Sequence, residues 1–400
     1  MPYIQLAALL AALATVGPFS IDTYLPALHA IGEELNATPL EVQQTLTAYM
    51  LPMGAMVLWH GAFSDAWGRK PVIVVSMLLF ALASLVCVFA GSIETLLVGR
   101  ALQGISAGAG MVVGRAVVRD IMEGPRAQRL MSHVSMAFAL GPAIAPILGG
   151  WIHTAFGWRA VFVFLALLGL ALAALSAWRL AESHPVEARH PLHLRPLARR
   201  YRAVFASPGF LLLSIAVSLN FNGFFIYVLS APVFLMRHLG LGETEFGWMF
   251  IPGVIGMMAG SGLSARLAGR LSQARTIRLG FALMLGAAGL NLAVSYLLPA
   301  GLPQSVLPIM AYNFGMAIAM PSLTLLALDH FPTHRGLASS CQSFVQMVIS
   351  SVTAGIVAPA LWGSVGSLAF GMTAMLLLGL ACFTAWWWFF HRRRHEAGPA

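Results

Sequence analysis

One acidic side chain, Asp22, lies inside the first long apolar run of the chain. That run extends from about residue 4 to residue 28, and a helix that crosses a bilayer needs about 20 residues. A carboxylate at mid-bilayer costs about 2.5–3.5 kcal/mol on insertion scales, so it must face a polar cavity, find a partner or bind a proton. Pro18 and Pro26 flank Asp22 and lack a backbone donor, so we expect the helix to bend around the acid. The pattern predicts a proton-binding, substrate-sensing group of a transporter. The alternative is an acid that lies shallow, near Pro26, and only aids membrane topology.

Two arginines lie inside another apolar run, at residues 95–118. Arg100 is deep enough to require a counter-charge or hydrogen-bond partners. Arg115 follows fifteen residues later, about four helical turns, and so lies nearer the opposite end of the run. Two interpretations of Arg115 remain open: it binds substrate, or it extends to the interface as a structural group.

The composition indicates a membrane protein with many spans. Of 400 residues, 59% are hydrophobic and 9% are charged, whereas soluble domains carry about 25% charged residues. The first run has no basic segment before it and no small-residue cleavage site, so we interpret it as a membrane helix rather than a signal peptide. Hydropathy predicts about twelve spans, near residues 4–28, 42–63, 72–91, 95–118, 130–153, 158–180, 209–236, 246–267, 277–299, 304–328, 337–361 and 366–390.

An Arg-rich segment, residues 181–208, separates six predicted spans from six. We therefore expect an N-terminal six-helix bundle (1–180), a cytoplasmic linker (181–208), a C-terminal bundle (209–391) and a basic cytoplasmic tail (392–400). The spacing Gly-x-x-x-Asp-x-x-Gly-Arg of residues 61–69 recurs as Gly-x-x-x-Arg-x-x-Gly-Arg at 262–270. Equivalent loops with this spacing favour two related halves, as transporters have.

The distribution of basic residues predicts the orientation. All but four of the 23 Lys and Arg residues fall in alternate loops or the tail, and the basic side of a membrane protein is cytoplasmic. Both termini are therefore expected inside a bacterial cytoplasmic (inner) membrane. This placement, on one side of a bilayer, argues against nucleic acid as the partner of the basic charge.

The most specific motif spans residues 61–71, Gly-Ala-Phe-Ser-Asp-Ala-Trp-Gly-Arg-Lys-Pro. It resembles the loop motif of the major facilitator superfamily, which acts as a latch between helices and stabilises the outward-open state. The resemblance assigns this role to Gly61, Asp65, Gly68, Arg69 and Lys70. The family usually has a basic residue where this chain has Ala66, so one latch contact is expected to be absent.

Two further motifs resemble those of the same superfamily. Residues 100–104, Arg-Ala-Leu-Gln-Gly, are similar to the fourth-helix motif, whose arginine is tied to proton transfer, which implies this role for Arg100. Residues 141–150, Gly-Pro-Ala-Ile-Ala-Pro-Ile-Leu-Gly-Gly, are similar to the motif of its antiporter branch, carried here by Gly141, Pro142, Gly149 and Gly150. That motif favours export over uptake, although generic packing of small residues would look the same.

Three phrases narrow the resemblance to the Bcr/CflA drug-resistance branch, which includes bicyclomycin, chloramphenicol and florfenicol exporters. They are Ser-Ile-Asp-Thr-Tyr-Leu-Pro at 20–26, Arg-Ala-Val-Val-Arg-Asp at 115–120 and Arg-Gly-Leu-Ala-Ser-Ser at 335–340. The resemblance implies that Asp22 is the acid required for transport. It also implies an all-α major facilitator fold with about twelve transmembrane helices in two six-helix halves.

Met, aromatic and amide side chains are candidates for the wall of a drug-binding cavity, because adaptable surfaces suit promiscuous binding and amides in hydrocarbon need partners. With Asp22 and Arg115, the predicted substrate-binding residues are Tyr24, Tyr49, Met53, Phe138, Asn220, Asn222, Tyr227 and Asn313.

The sequence thus predicts a monomeric, proton-coupled exporter of small amphiphilic drugs such as amphenicols or bicyclomycin, with protons, drug and the lipid bilayer as its partners. We expect no cofactor, no metal and no enzymatic activity, because there is no phosphate-binding loop, no metal-ligand spacing among three cysteines and no second intramembrane acid. The rival on the same fold is a metabolite or sugar efflux carrier. A membrane-embedded enzyme or a receptor is the rival from another class.

Overall fold

The computed structural model describes residues 3–189, 192 and 194–391. These residues form helices joined by turns, with one isolated β-bridge between Ala268 and Leu271. The chain divides into two compact units: residues up to 193 together with 242–247, and residues 194–241 together with those from 248 onward. The predicted basic tail, 392–400, lies outside the described residues.

The first unit contains eight α-helices, named α1 to α8 in chain order. They are Tyr3–Asp22, Leu28–Glu34, Pro39–Trp67, Arg69–Val88, Ile93–Ala107, Ala109–Ile121, Gly124–Phe156 and Trp158–Arg179. A short 3₁₀ turn, Leu25–Ala27, links α1 to α2. The first predicted span is therefore formed by α1 and α2 in succession, and the fourth by α5 and α6.

The second unit continues the numbering from α9 to α16. Its helices are Leu194–Phe205, Pro208–Leu229, Gly247–Leu267, Gln273–Leu297, Leu307–Leu328, Arg335–Val352, Ala358–Ala360 and Val365–Trp386. Helix α9 lies in the segment predicted as a linker, and its Pro196 is the third helical residue, where a missing amide costs little because the first turn has no intrahelical acceptor for it.

Eleven helical segments among the described residues are long and apolar enough to cross a membrane. The remaining predicted span, residues 42–63, corresponds to α3, which has 29 residues. Its low hydropathy reflects polar residues such as Gln43, Thr45 and His60, all of which are buried against neighbouring helices. Each of the twelve predicted runs is thus covered by one helix or by consecutive helices.

Helix α4 illustrates how these helices divide their faces between lipid and protein. Leu78, Leu82 and Leu85 recur at helical spacing and are 38–59% exposed, whereas Phe80 and Ser84 on the opposite face are fully buried. Apolar side chains remain exposed on one face because lipid tails, unlike water, solvate them. The buried face mixes small and polar residues such as Ala83 and Ser84, which are typical of contacts between membrane helices, with larger apolar ones such as Phe80.

The internal repeat seen in the sequence has a structural counterpart. Gly68 ends α3 with a φ of 100°, and Gly269 follows α11 with a φ of 78°. Residues with a side chain rarely adopt this backbone conformation, so both loops place glycine where φ is positive. The loops differ beyond that point, because α4 begins directly after Gly68 whereas Gly269 lies in a turn closed by the bridge between Ala268 and Leu271.

Candidate functional site

The candidate site is built where helix α1 ends, at Asp22. Pro26 has no N–H to donate to the carbonyl of Asp22, four residues earlier, so the α-helical pattern stops there. The chain continues as a turn at Thr23 and Tyr24 and a 3₁₀ segment, Leu25–Ala27, before α2 begins. The predicted bend at the acid is therefore a true interruption of the helix.

Asp22 lies well inside the span. The described helical segment runs from Tyr3 to Glu34, so Asp22 is twelve residues, or about 18 Å along the helix axis, from the Glu34 end. That end is fixed by Glu34, which accepts a hydrogen bond from Trp158 Nε1 at 2.7 Å and pairs with Arg159. Since the hydrocarbon core of a bilayer is about 30 Å thick, this position is near its middle. The side chain is 3% exposed, and the ion pairs of the described residues do not include it.

Arg100 on α5 is fully buried and lies between two tyrosine rings. Its guanidinium carbon is 4.3 Å from the ring centroid of Tyr49 and 4.8 Å from that of Tyr24. Its Nη1 donates to the backbone oxygen and the hydroxyl of Ser20, both at 3.1 Å, and to Gln103 Oε1 at 2.8 Å. Among the described residues, its Nε and Nη2 have no hydrogen-bond partner. Arg100 is therefore a buried cation with unused donors, and it binds Ser20, which precedes Asp22 by two residues in the sequence.

A hydrogen-bonded chain fixes Arg100 from the side of α4. Gln103 Nε2 donates to Ser84 Oγ at 2.7 Å, and Ser84 in turn donates to the backbone oxygen of Phe80 at 2.7 Å. All these groups are buried, so each partner removes a desolvation cost of about 1–3 kcal/mol that an unpaired polar group would carry. The network joins α1, α5 and α4 around one guanidinium group.

The hydroxyl groups of the two tyrosines are also occupied. Tyr24 donates to Thr45 Oγ1 at 2.8 Å, because Thr45 uses its own proton on the backbone oxygen of Val42 at 2.5 Å. Tyr49 donates to the backbone oxygen of Gly17 at 3.1 Å. The two rings are thereby held against Arg100 by α3 and α1.

The glycine motif of α7 packs directly on the turn after Asp22. A Cβ atom at Gly149 would lie 2.0 Å from the backbone oxygen of Thr23, so only glycine allows this close approach of the two segments. At Gly141 in the same motif, a Cβ atom would meet nothing closer than 3.9 Å. Gly150 faces residues 242–247, with the backbone oxygen of Glu243 2.3 Å from its Cβ position. The motif therefore contacts the segment that carries the buried acid.

Gly149→Ala is expected to lower the free energy of unfolding by about 1–3 kcal/mol, the usual cost of overpacking, and to reduce transport because it pushes the turn at Thr23 away from α7. Thermal unfolding in detergent and transport in vesicles measure the two effects. Gly141→Ala is the matched control, because the same added methyl group would meet its neighbours there only at the ordinary contact distance of 3.9 Å. Equal behaviour of both variants would contradict the packing argument.

The loop motif forms an ion-pair cluster at the other end of the first unit. Arg69 Nη1 contacts Asp65 Oδ1 and donates to Ser64 Oγ at 2.7 Å, while its Nε donates to Asp120 Oδ2 at 2.9 Å. Arg69 is 6% exposed, whereas the side chain of Asp65 is exposed and that of Asp120 is half-buried, so the arginine is buried and its partners lie toward the surface. The cluster ties the loop to the end of α6.

The segment after α8 covers the same loop. Glu182 accepts hydrogen bonds from the backbone amides of Arg69 at 2.9 Å and Lys70 at 3.3 Å, the first turn of α4, where a carboxylate is favoured by the helix dipole. A Cβ atom at Gly68 would lie 2.5 Å from Glu182 Oε2. At Gly61 the closest neighbour of such an atom is Val112 at 3.9 Å. Close approach therefore requires glycine at Gly68 but not at Gly61.

Arg115 takes no part in the ion pairs around Arg69 among the described residues. It lies beside a cavity of about 80 Å³ in the first unit. The lining includes Met111, Met131, Ser135 and Phe138. Two of the predicted substrate-binding residues, Arg115 and Phe138, are thus brought to one cavity, which offers a cation, a hydroxyl and polarizable apolar groups.

Two of the candidate residues in the second unit are held by neighbouring side chains. Asn222 Nδ2 donates to the backbone oxygen of Ser218 at 2.8 Å and to Ser350 Oγ at 3.2 Å. The hydroxyl of Tyr227 accepts from Asn291 Nδ2 at 2.7 Å. Both residues are fully buried.

The other two candidates, Asn220 and Asn313, are also fully buried. Asn313 Nδ2 donates to the backbone oxygen of Gly253 at 3.3 Å. Neither amide atom of Asn220 has a partner among the described residues, although its backbone oxygen accepts from Tyr312 at 2.9 Å. Asn220 thus retains unused hydrogen-bonding capacity.

The structure brings together four of the residues predicted from sequence, which are Asp22, Tyr24, Tyr49 and Arg100. Met53 lies close by, with its Cε 2.9 Å from the Cβ position of Gly17. Sequence reasoning missed Ser20 as an acceptor for Arg100, Thr45 as the partner of Tyr24 and Glu182 as the cap of α4. Ser20 lies within the motif at residues 20–26, and Gln103, the other acceptor of Arg100, lies within the motif at residues 100–104. Membership of these motifs was the signal that could have identified them. Nothing in the sequence linked Thr45 or Glu182 to these positions.

The described residues thus form a bundle of membrane-type helices with a buried acid, a buried arginine between two tyrosine rings, and an ion-pair cluster around Arg69, which is the arrangement expected of a membrane transporter. The sequence profile of the Major Facilitator Superfamily matches residues 9–354, and the chain belongs to that superfamily. The predicted fold and family are thereby confirmed, and the chain is a multi-pass transporter rather than an enzyme.

Known proteins similar to this chain fit that membership. A bicyclomycin resistance protein homolog of Haemophilus influenzae is 28% identical over 371 residues, covering 93% of each chain. Multidrug resistance protein D of Escherichia coli is 28% identical over 403 residues, covering 99% of this chain and 98% of its own length. The crystal structure of the human organic anion transporter MFSD10 matches with a TM-score of 0.70 at 18% identity, covering 96% of this chain and 100% of that one. This last similarity concerns the fold alone.

Proposed function

We propose that the chain is a proton-coupled exporter of small amphiphilic drugs, such as amphenicols or bicyclomycin, with Asp22 as its proton-binding group. The single observation that carries the proposal is the position of Asp22, which is buried at a helix interruption in the middle part of its segment, two residues after Ser20, the acceptor of Arg100. The relatives named for bicyclomycin and multidrug resistance support drugs as the substrate class.

The mechanism follows from competition between proton and drug for one acid. While the site is open to the outside, Asp22 binds a proton and becomes neutral, which removes the cost of holding a charge in a low-dielectric region. When the site opens inward, a drug binds and the proton leaves to the cytoplasm. The driving force is about 2.3 kcal/mol per charge per 100 mV, in addition to the pH gradient.

Transport into inverted membrane vesicles tests the coupling. We expect drug accumulation to require an imposed pH gradient and to collapse when a protonophore is added, because no other energy source enters the mechanism. Accumulation that is indifferent to the protonophore would refute proton coupling.

A resistance panel in a pump-deficient bacterium tests the substrate class. Expression of the chain should raise resistance to amphenicols or bicyclomycin, while a parallel sugar-efflux assay should show no effect. The opposite result would favour the metabolite or sugar carrier.

The same proposal includes the membrane in which the chain lies, its orientation and its oligomeric state. We place the chain in the bacterial inner membrane with both termini in the cytoplasm, because basic residues concentrate in the loops on that side. We also propose that it works as a monomer. The remaining predicted substrate contacts, Met53, Arg115, Phe138, Asn220, Asn222, Tyr227 and Asn313, stay predictions, as do the roles of the latch residues.

A further inference from the structure

Helix α9, Leu194–Phe205, has two chemically different faces. Leu197, Tyr201, Val204 and Phe205 form the apolar side, and Val204 is only 2% exposed. The ring of Phe205 packs edge-on against that of Phe344 at a centroid distance of 5.7 Å. The apolar side is therefore covered by protein, chiefly by α14 and α10.

The other side of α9 carries four exposed arginines. Arg195, Arg199 and Arg202 follow one another at helical spacing, within about 60° of arc, and Arg200 stands at the margin of the apolar face. Two residues after α9 ends, α10 starts its passage through the membrane at Pro208. The four guanidinium groups thus lie close, along the chain, to the start of a membrane span.

No ion pair among the described residues supplies a counter-charge for these four arginines. The sequence contains no Asp or Glu from residue 188 to residue 242, and none in α14, Arg335–Val352. Helix α9 and the two helices it packs against are therefore all without an acid, so these helices leave the arginine face free to bind an external anion.

We propose that the arginine face of α9 binds the headgroups of anionic phospholipids in the adjoining bilayer leaflet. Charge complementarity supports this occupant, because the cytoplasmic leaflet carries a negative surface potential that attracts basic segments next to a membrane span. The apolar face is already packed against protein, so the helix binds headgroups without inserting between acyl chains, unlike a free amphipathic helix. The interaction fixes the first helix of the second unit to the membrane surface, and it does not depend on which substrate is transported.

The test uses the full chain in phosphatidylcholine vesicles, with a fluorophore on Ala203→Cys, an exposed position of α9, in a Cys382→Ser background. Brominated phosphatidylglycerol and brominated phosphatidylcholine are compared as quenchers. We expect phosphatidylglycerol to associate more strongly, by about fivefold for each engaged arginine, since a basic residue near an anionic surface contributes about 1 kcal/mol. High salt should weaken the preference.

The variant that combines Arg195→Gln, Arg199→Gln, Arg200→Gln and Arg202→Gln should lose this preference. The matched control replaces Arg266, Arg270, Arg275 and Arg278 with Gln, which removes the same charge from another loop and should preserve it. Three outcomes would overturn the proposal: equal quenching by both lipids, a preference that survives in the α9 variant, or a preference lost equally in the control. Loss of the preference on addition of inorganic phosphate, but not of chloride at the same ionic strength, would identify a soluble anion as the occupant and would also overturn it. Because lipid binding is measured without substrate, failure here leaves the transport proposal untouched.

Discussion

Asp22→Asn is expected to abolish proton-driven drug export while the protein still inserts and folds. Asparagine has nearly the same shape but cannot release a proton, so the exchange between proton and drug has no carrier. The neutral amide also avoids the cost of a buried carboxylate, so thermal stability should stay equal or rise. The measurements are resistance in a pump-deficient bacterium, drug uptake into inverted vesicles, and the amount of protein in the membrane.

Two controls separate the role of the charge from that of the site. Asp22→Glu keeps a titratable carboxyl in the same turn and should retain part of the activity. Glu33→Gln makes the same chemical change at an exposed acid that pairs only with His29, 3.4 Å away, and should leave export unchanged. Undiminished, protonophore-sensitive export by the Asp22→Asn variant would remove this residue from the mechanism.

Arg100→Lys is expected to reduce transport at least tenfold although it keeps the positive charge. A lysine side chain is shorter, so its ammonium group does not reach the position from which Nη1 of Arg100 donates to Ser20 and Gln103. It also has no planar group to lie flat between the rings of Tyr24 and Tyr49. Buried acceptors that lose their donor cost about 1–3 kcal/mol each, so the thermal unfolding temperature should fall as well. Transport in vesicles and unfolding in detergent measure the two effects together.

Arg179→Lys is the matched control for that substitution. The guanidinium carbon of Arg179 lies 4.1 Å from the ring centroid of Trp178, and its Nη1 donates to Gln5 at 3.3 Å, but the side chain is exposed. An exposed cation–π contact contributes only about 0.5–1 kcal/mol, so activity should be nearly unchanged. If Arg100→Lys reduced transport as little as Arg179→Lys, the packing of Arg100 between the two tyrosine rings would make no contribution to transport.

Much of the architecture could be predicted from the sequence because bilayers impose a strong, one-dimensional constraint. Apolar runs of about 20 residues have few alternatives to membrane helices, so the twelve runs and the helices agree closely. The interruption at Asp22 was also predictable, since Pro26 acts through its own chain four residues away. The bounds were less predictable: the first span continues to Glu34 because α2 resumes after the 3₁₀ turn, and α9 forms within a segment predicted only as a linker.

The sequence by itself determined the class of protein, the positions of the spans and the one acid that the membrane makes costly. All three follow from hydrophobicity, proline and charge along the chain. Proline acts on neighbouring residues of its own helix, and hydrophobicity and charge act through the lipid that surrounds each span. Only the tertiary structure decided that Arg100 lies between Tyr24 and Tyr49, that Gly149 touches the turn after Asp22 and that Glu182 caps α4. Such contacts join residues far apart in the chain, and they depend on which helix faces meet. That choice is made by packing and hydrogen bonding in three dimensions, which no local pattern records.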